Sequence, residues 1–398
     1  MHELSGVRLG PVRVRSRLGR AATSLDLTVR HPERAAQRRV EGWSELDRRD
    51  RGTRFIAIEP KSIINSSTAT NMIFASVNPY IGCEFGCAYC YARDTHRWTV
   101  DRAATGADAG SPASEAATLP TSEAFERRIL VKKNAAALLA KTLDPAKLRG
   151  DPLVIGTATD PYQPAEREFR ITRAILETLL NYRNLHLGII TKSPLIACDT
   201  ELLAKISQQH RLTVSLSLGS MDGTLLRRLE PRTPAPHARL RAMKKLSSAG
   251  VRVGLLIAPI LPGITDGRAA LRALVAAGKE AGAAWVAGSP LRMGPATRAT
   301  LLPWLARERP DLAARYRRHY GDRHWVSRAY GEALHQRLTS LQEEFGIVPE
   351  EGMREKRNFS RVKRGEAQVD LWNDVKRKTR APHRAEPPSH DSRLTTND

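Results

Sequence analysis

Cysteine is scarce in this chain: four in 398 residues, three of them between positions 83 and 90. So few thiols exclude a disulfide scaffold, and a reducing compartment keeps such residues as thiols or metal ligands. Long apolar runs are missing as well. No uninterrupted stretch could span a bilayer, and the arginines of "MHELSGVRLGPVRVRSRLGR" precede no apolar segment that could serve as a signal-peptide core. The expected location is cytoplasmic, with no membrane partner. No internal repeat is visible beyond a β/α unit.

What is present reads as soluble and globular, with 41% apolar and 27% charged residues, and the length allows one large core or two ordinary ones. The formal net charge of +22 raises the local concentration of anionic partners such as nucleic acid, without identifying one. Much of it lies near the ends, in "RRVEGWSELDRRDRGTR", "MREKRNFSRVKRGE" and "KRKTRAPHR". Solvated basic extensions and nucleic-acid contact both fit this pattern.

Apolar runs rich in Val, Ile and Leu occur at 73–80, 152–159, 185–192, 211–218, 251–260 and 283–291, and these are the strand candidates. Amphipathic stretches lie among them, including "SEAFERRILVKKNAAALLAKTL", "FRITRAILETLLNY", "TELLAKISQQ", "PHARLRAMKKLSSAG" and "GRAALRALVAAGKEAG", each predicting a helix. Repeated strand–helix alternation implies an α/β fold with a parallel sheet, either open and doubly wound or a full or partial barrel, with chemistry at the C-terminal strand ends. Residues 1–60 lack strong periodicity. Residues 101–121 form an Ala, Gly, Ser and Pro-rich insertion, and residues beyond about 350 are polar and basic; disorder is the expectation for all or part of each. A helical segment follows the last strand.

The cysteines sit in "NPYIGCEFGCAYCYAR", at Cys83, Cys87 and Cys90. Their spacing is that of one helix face, but Pro79, Gly82 and Gly86 suit a tight loop better than a helix interior. Zinc needs four N or S ligands; there is no second cysteine pair, although His96 could complete a Cys3His site. An iron–sulfur cluster uses thiolates, and a 4Fe–4S cube held by three leaves one iron without a protein ligand. Cys198, in "SPLIACDT", reads as a small buried thiol.

The C-x3-C-x2-C loop, with Tyr89 before its last cysteine and a strand candidate ahead of it, resembles the radical SAM superfamily. Asn78, Pro79 and Tyr80 before the loop and Tyr91, Ala92 and Arg93 after it resemble the subgroup of spore photoproduct lyase and DNA repair photolyase-like proteins. The resemblance implies a partial (β/α)6 TIM-like barrel, a 4Fe–4S cluster and S-adenosylmethionine (SAM) as cofactors, and a reducing partner of flavodoxin or ferredoxin type. It implies an enzyme that cleaves SAM to a 5′-deoxyadenosyl radical, which abstracts hydrogen from the substrate. The domain division becomes 1–60, a basic N-terminal extension; 61–295, the radical SAM core; 296–350, a C-terminal helical subdomain; and 351–398, a basic tail. Cofactor-binding positions carried over by the resemblance are Tyr89, Thr159 and Asp160, with Thr157 nearby, then Lys192 for the SAM carboxylate, Ser215 and Ser217 on one face of the fourth strand, and the turn "APILPGITD" for adenine.

Arg227, Arg228 and Arg232 in "RRLEPRTPAPHARL" could meet a carboxylate or phosphate, or pair with Glu230. "GEAQVDLWND" places Gln368, Leu371 and Trp372 in a pattern resembling peptides that insert into the bacterial sliding clamp. The lyase carries a hydrogen-donating cysteine near the end of its second strand; "IGTATDPY" has none, so repair of its thymine lesion is not expected here. Two functions remain open from sequence: a radical SAM enzyme on an unidentified substrate, for which nucleic acid is one candidate, and a non-catalytic basic nucleic-acid-binding protein with a structural metal site.

Overall fold

The short apolar runs become strands of two sheets. The computed structural model describes residues 39–40, 43–48, 52–70, 72–96 and 121–347. The chain divides into two units, Met1–Ala36 and Gln37–Asp398, and every described residue belongs to the second. In chain order the strands are β1 (Arg39–Val40), β2 (Trp43–Arg48), β3 (Arg54–Ile58), β4 (Ile64–Asn65), β5 (Ala75–Val77) and β6 (Tyr80–Ile81). They continue with β7 (Arg128–Lys132), β8 (Leu153–Ile155), β9 (His186–Thr191), β10 (Arg211–Ser217), β11 (Val253–Ile260) and β12 (Trp285–Pro290).

The larger sheet has the order β12-β11-β10-β9-β8-β5-β4. From β5 to β12 all its pairings are parallel, and only β4 runs antiparallel, at the edge. Among the described residues no pairing closes this sheet into a ring. Its crossovers are the expected amphipathic segments: helices at 171–179, 200–209, 236–248 and 268–280. Leu153, Ile155, Ile189, Val214, Leu255 and Val286 are almost wholly shielded from solvent, as both faces of a parallel sheet require. The result is the α/β fold with a parallel sheet that the sequence pattern implies, in the form of the partial six-stranded barrel that the resemblance implies.

The smaller sheet was not legible in the pattern. Its order is β1-β2-β3-β7-β6, with β3 and β7 parallel. Residues 39–58, read from sequence as part of an irregular extension, supply three of its strands. The stretch expected to be one helix at 122–143 is instead a helix at Thr121–Arg127, strand β7 and a helix at Ala135–Thr142. Ile129, Leu130 and Val131 are each at most 1% exposed, gripped between β3 and β6, and their burial on both faces overrides the amphipathic period.

Helices at Pro295–Glu308, Pro310–Tyr320 and Arg328–Glu344 follow β12. Buried hydroxyls tie this segment to the barrel: Tyr316 donates to the Pro262 carbonyl (2.8 Å), Tyr320 to that of Leu291 (3.1 Å) and Tyr330 to the Asp266 carboxylate (2.8 Å). No helix among the described residues is long and apolar enough to cross a membrane. The insertion at 101–120, the basic tail and the clamp-like segment Gln368–Trp372 lie outside the described residues.

Candidate active site at the cysteine loop

The loop 82–90 leaves β6 and turns over the C-terminal end of the barrel strands. Gly82 and Gly86 have φ of +88° and +66°, a left-handed conformation that glycine adopts without steric cost. A Cβ on Gly82 would stand 2.8 Å from the Phe125 carbonyl oxygen. That oxygen accepts the Cys83 N–H at 2.8 Å, so the turn and its anchor are one feature.

Every side of the loop is tied down. Thr159 donates to the Gly82 carbonyl (2.6 Å), and Gln163 accepts the Glu84 N–H (2.9 Å). The Glu84 carboxylate accepts the Ala165 N–H at 2.7 Å, and the Ala88 N–H donates to the Leu229 carbonyl at 2.9 Å. Arg93, 0% exposed, donates from Nε and Nη2 to the Cys87 carbonyl (3.3 and 2.9 Å) and from Nη1 to that of Ser122 (2.6 Å). Arg232 donates to the Glu84 carbonyl, and both arginines pair with Glu126. Thr297 donates to the Cys90 carbonyl at 3.1 Å.

Cys83 and Cys87 are buried and Cys90 half-buried, all as free thiols. Burial is the main force pushing each of them up from the ordinary thiol range. Each also stands within electrostatic reach of another of the three, so they share one environment. Buried thiols of this kind ionise when a metal takes them, since the metal supplies the positive charge that the site lacks. Among the described residues no group of three or more His, Cys, Asp or Glu converges on a single ion. A four-iron cube takes each thiolate on a different iron and so accepts a wider set. The donor chemistry fits such a cube, and the zinc alternative finds no preformed cage. His96 instead packs edge-on against Phe125, ring centres 5.7 Å apart, and among the described residues neither ring nitrogen has a hydrogen-bond partner. Burial holds its imidazole down at about 4.

The other expected site residues gather at the same strand ends. Lys192 Nζ lies 2.9 Å from Ser217 Oγ and 3.2 Å from the Tyr89 hydroxyl. Ser217 also donates to the Ala258 carbonyl (3.1 Å). Ser215, half-buried, is two positions deeper on the same strand, level with Ile190 and Gly254. Asp160 is turned toward β9: it accepts from Thr191 Oγ1 (2.6 Å), the Lys192 N–H (2.7 Å) and the Tyr162 N–H (2.9 Å). Thr157 accepts from Asn78 (3.2 Å), and its carbonyl accepts the Tyr91 hydroxyl.

Some expectations change. Glu230 pairs with Arg239 and Lys192, not with the neighbouring arginines; Arg227 donates to the Pro231 carbonyl (3.0 Å) and Arg228 to Glu308 (3.2 Å). Cys198, expected to be buried, is exposed. The 3-10 turn Pro194–Asp199 buries Ile196 and Asp199, three apart on one edge, and turns position 198 outward. Glu230, Arg239, Glu126 and Gln163 were not singled out as site residues. Only the glutamate in "LEPR" gave a local signal, because its partners are distant in sequence.

This geometry agrees with the comparisons. The model of the radical SAM superfamily matches residues 77–274. An uncharacterized protein of Mycobacterium tuberculosis is 33% identical over 266 residues, covering 67% of this chain and 73% of its own. The chain belongs to the radical SAM superfamily. This family uses a 4Fe–4S cluster and SAM, which are accordingly the cofactors of this member. A second relative, an uncharacterized protein of Methanocaldococcus jannaschii, is 28% identical over 211 residues, 53% of this chain and 69% of that one. Among solved structures, a cysteine-to-alanine variant of spore photoproduct lyase aligns with a TM-score of 0.51 and 16% identity, covering 73% of this chain and 79% of the other. The same lyase complexed with dinucleoside spore photoproduct gives 0.50 at 16% identity. These likenesses establish the shared radical SAM fold.

Proposed function

We propose that the chain is a lyase-like radical SAM enzyme acting on a nucleic-acid substrate, with Cys83, Cys87 and Cys90 as the three cluster ligands. The observation that carries the reading is the loop itself: three thiols in one buried environment, presented by left-handed glycines beneath Lys192. When bound, the cluster and SAM supply a 5′-deoxyadenosyl radical. The chain's own residues bind, orient and exclude water. Lys192 offers an ammonium to a carboxylate, Ser217 holds that ammonium, and Thr159 fixes the loop through the Gly82 carbonyl. Ser215, two positions deeper on β10, would offer its hydroxyl to the SAM ribose or carboxylate.

Support for a nucleic-acid substrate is electrostatic and local. The net charge is +22, and the exposed Tyr91 lies within electrostatic reach of Arg292. Met293, next to Arg292, bonds the carbonyl of His324, the residue before exposed Trp325. An aromatic side chain near a guanidinium, as Tyr91 is to Arg292, suits bases and phosphates. The spore photoproduct lyase complex holds a dinucleoside, but this chain lacks a cysteine at 155–162, so the spore photoproduct itself is not the expected substrate. The reductant is a flavodoxin or ferredoxin type protein.

Anaerobic reconstitution tests this. The expected result is about four irons per chain, a broad visible band, and release of 5′-deoxyadenosine on addition of SAM and dithionite, with turnover stimulated by oligonucleotide. Stoichiometric zinc with no nucleoside release would replace it by a basic binding protein with a structural metal.

A further inference from the structure

The least expected feature beside the loop is a fully buried charge cluster. Glu230 and Arg239 are each 0% exposed, and Arg239 Nη2 donates to Glu230 Oε2 at 2.5 Å. Thr233 donates to the same oxygen at 2.8 Å, and Arg239 also reaches the carbonyls of Ser217 (2.9 Å) and Pro234 (3.0 Å). Oε2 is thereby satisfied. Oε1 faces the site: it accepts the Tyr89 hydroxyl and lies 3.3 Å from Lys192 Nζ.

One carboxylate therefore joins three pieces of chain that meet only in the fold: the cysteine loop through Tyr89, the end of β9 through Lys192, and the end of β10 through Arg239 and the Ser217 carbonyl. Replacing a buried ion pair with apolar residues often costs no stability, so stability alone is a weak reason to keep one. A lysine at a strand end has a flexible four-carbon stem and three donors. Here those donors find Ser217, Tyr89 and Glu230 at 2.9, 3.2 and 3.3 Å, which holds the ammonium in one place. Glu230 and Lys192 are also close enough to Cys87 for their opposite charges to act on its sulfur.

We propose that Glu230 is a positioning residue of the radical SAM site: it fixes Lys192 and Tyr89 against the cysteine loop, and its charge sets the ease of cluster reduction. This rests on the reading that the three cysteines hold the cluster and that Lys192 meets the SAM carboxylate. Net charge around a cluster is one of the levers on its potential, and a nearby carboxylate opposes the incoming electron.

Two variants separate position from charge. Glu230→Asp keeps the charge and the Arg239 pair but withdraws the carboxylate by one methylene. It should retain wild-type iron content and midpoint potential while binding SAM about tenfold more weakly, the size of one charged hydrogen bond. Glu230→Gln keeps the shape and removes the charge, so its midpoint potential, read by electron paramagnetic resonance during a dithionite titration, should rise. Should Glu230→Gln fail to fold, Glu230→Asp still decides the positioning claim, and unaltered SAM affinity in anaerobic equilibrium dialysis overturns it. An unshifted potential in folded Glu230→Gln overturns the charge claim. Wild-type protein that takes up no iron would instead overturn the reading on which both depend.

Discussion

Arg93 places two N–H groups on the carbonyl oxygen of Cys87, at 2.9 and 3.3 Å, from a position 0% exposed. A side chain just past the loop thus fixes the backbone of its middle cysteine, and Glu126 completes the arginine's partners. Arg93→Ala should cost about 3 kcal/mol of stability, because it leaves part of a buried charge pair uncompensated. Iron retained after desalting should fall with it. Chemical denaturation of the apo-protein and iron assay of the reconstituted one measure the two effects separately.

Gly82 can be challenged by a single methyl. At φ +88°, with the Phe125 carbonyl 2.8 Å from the added Cβ, Gly82→Ala should destabilise by about 1–3 kcal/mol from backbone strain, and more once the carbonyl is displaced. A denaturation midpoint equal to wild type would contradict the described turn.

Substitution of the four cysteines should split three to one. Alanine at Cys83, Cys87 or Cys90 should each abolish the visible band and most of the bound iron. Cys198→Ala should retain both, since that thiol is exposed on the turn 194–199.

Glu166 gives the stability of the protein a pH dependence. Burial pushes its carboxyl up from 4.5 to about 7, although the Tyr80 hydroxyl and the backbone N–H groups of Thr172 and Arg173 donate to it. Between those values the folded chain holds a proton that the unfolded chain releases, so unfolding is opposed most below pH 4.5 and that stability is lost as pH rises through about 7. The contribution is about 3 kcal/mol across the window. Glu166→Gln should remove it, seen as an unfolding free energy that falls by about 3 kcal/mol less than that of wild type between pH 4.5 and 7.

Much of the barrel was legible because a parallel strand buried on both faces writes an apolar run. The runs at 185–192 and 211–218 became β9 at His186–Thr191 and β10 at Arg211–Ser217. The segment at 122–143 misled for the opposite reason: "RILVK" keeps charges at both ends of a short apolar run, and its strand character came from β3 and β6 on either side. In the site, Cys83, Cys87, Cys90 and their glycines were legible as a local loop. Arg239, nine residues after Glu230 in the sequence, was not, because the turn and helix between them decide that the two side chains meet.

By itself the amino-acid order determined which residues could carry chemistry: three close thiols, glycines able to turn left-handed around them, and apolar runs long enough for strands but not for a membrane. Those properties are local, fixed by side-chain type and spacing. Folding alone decided which charges were stripped of water together. Glu230, Arg239, Lys192 and Tyr89 form one cluster only because β9, β10 and the cysteine loop end at the same point. A carboxylate's effect on its neighbours depends on separation and on the exclusion of solvent, neither of which a linear sequence specifies.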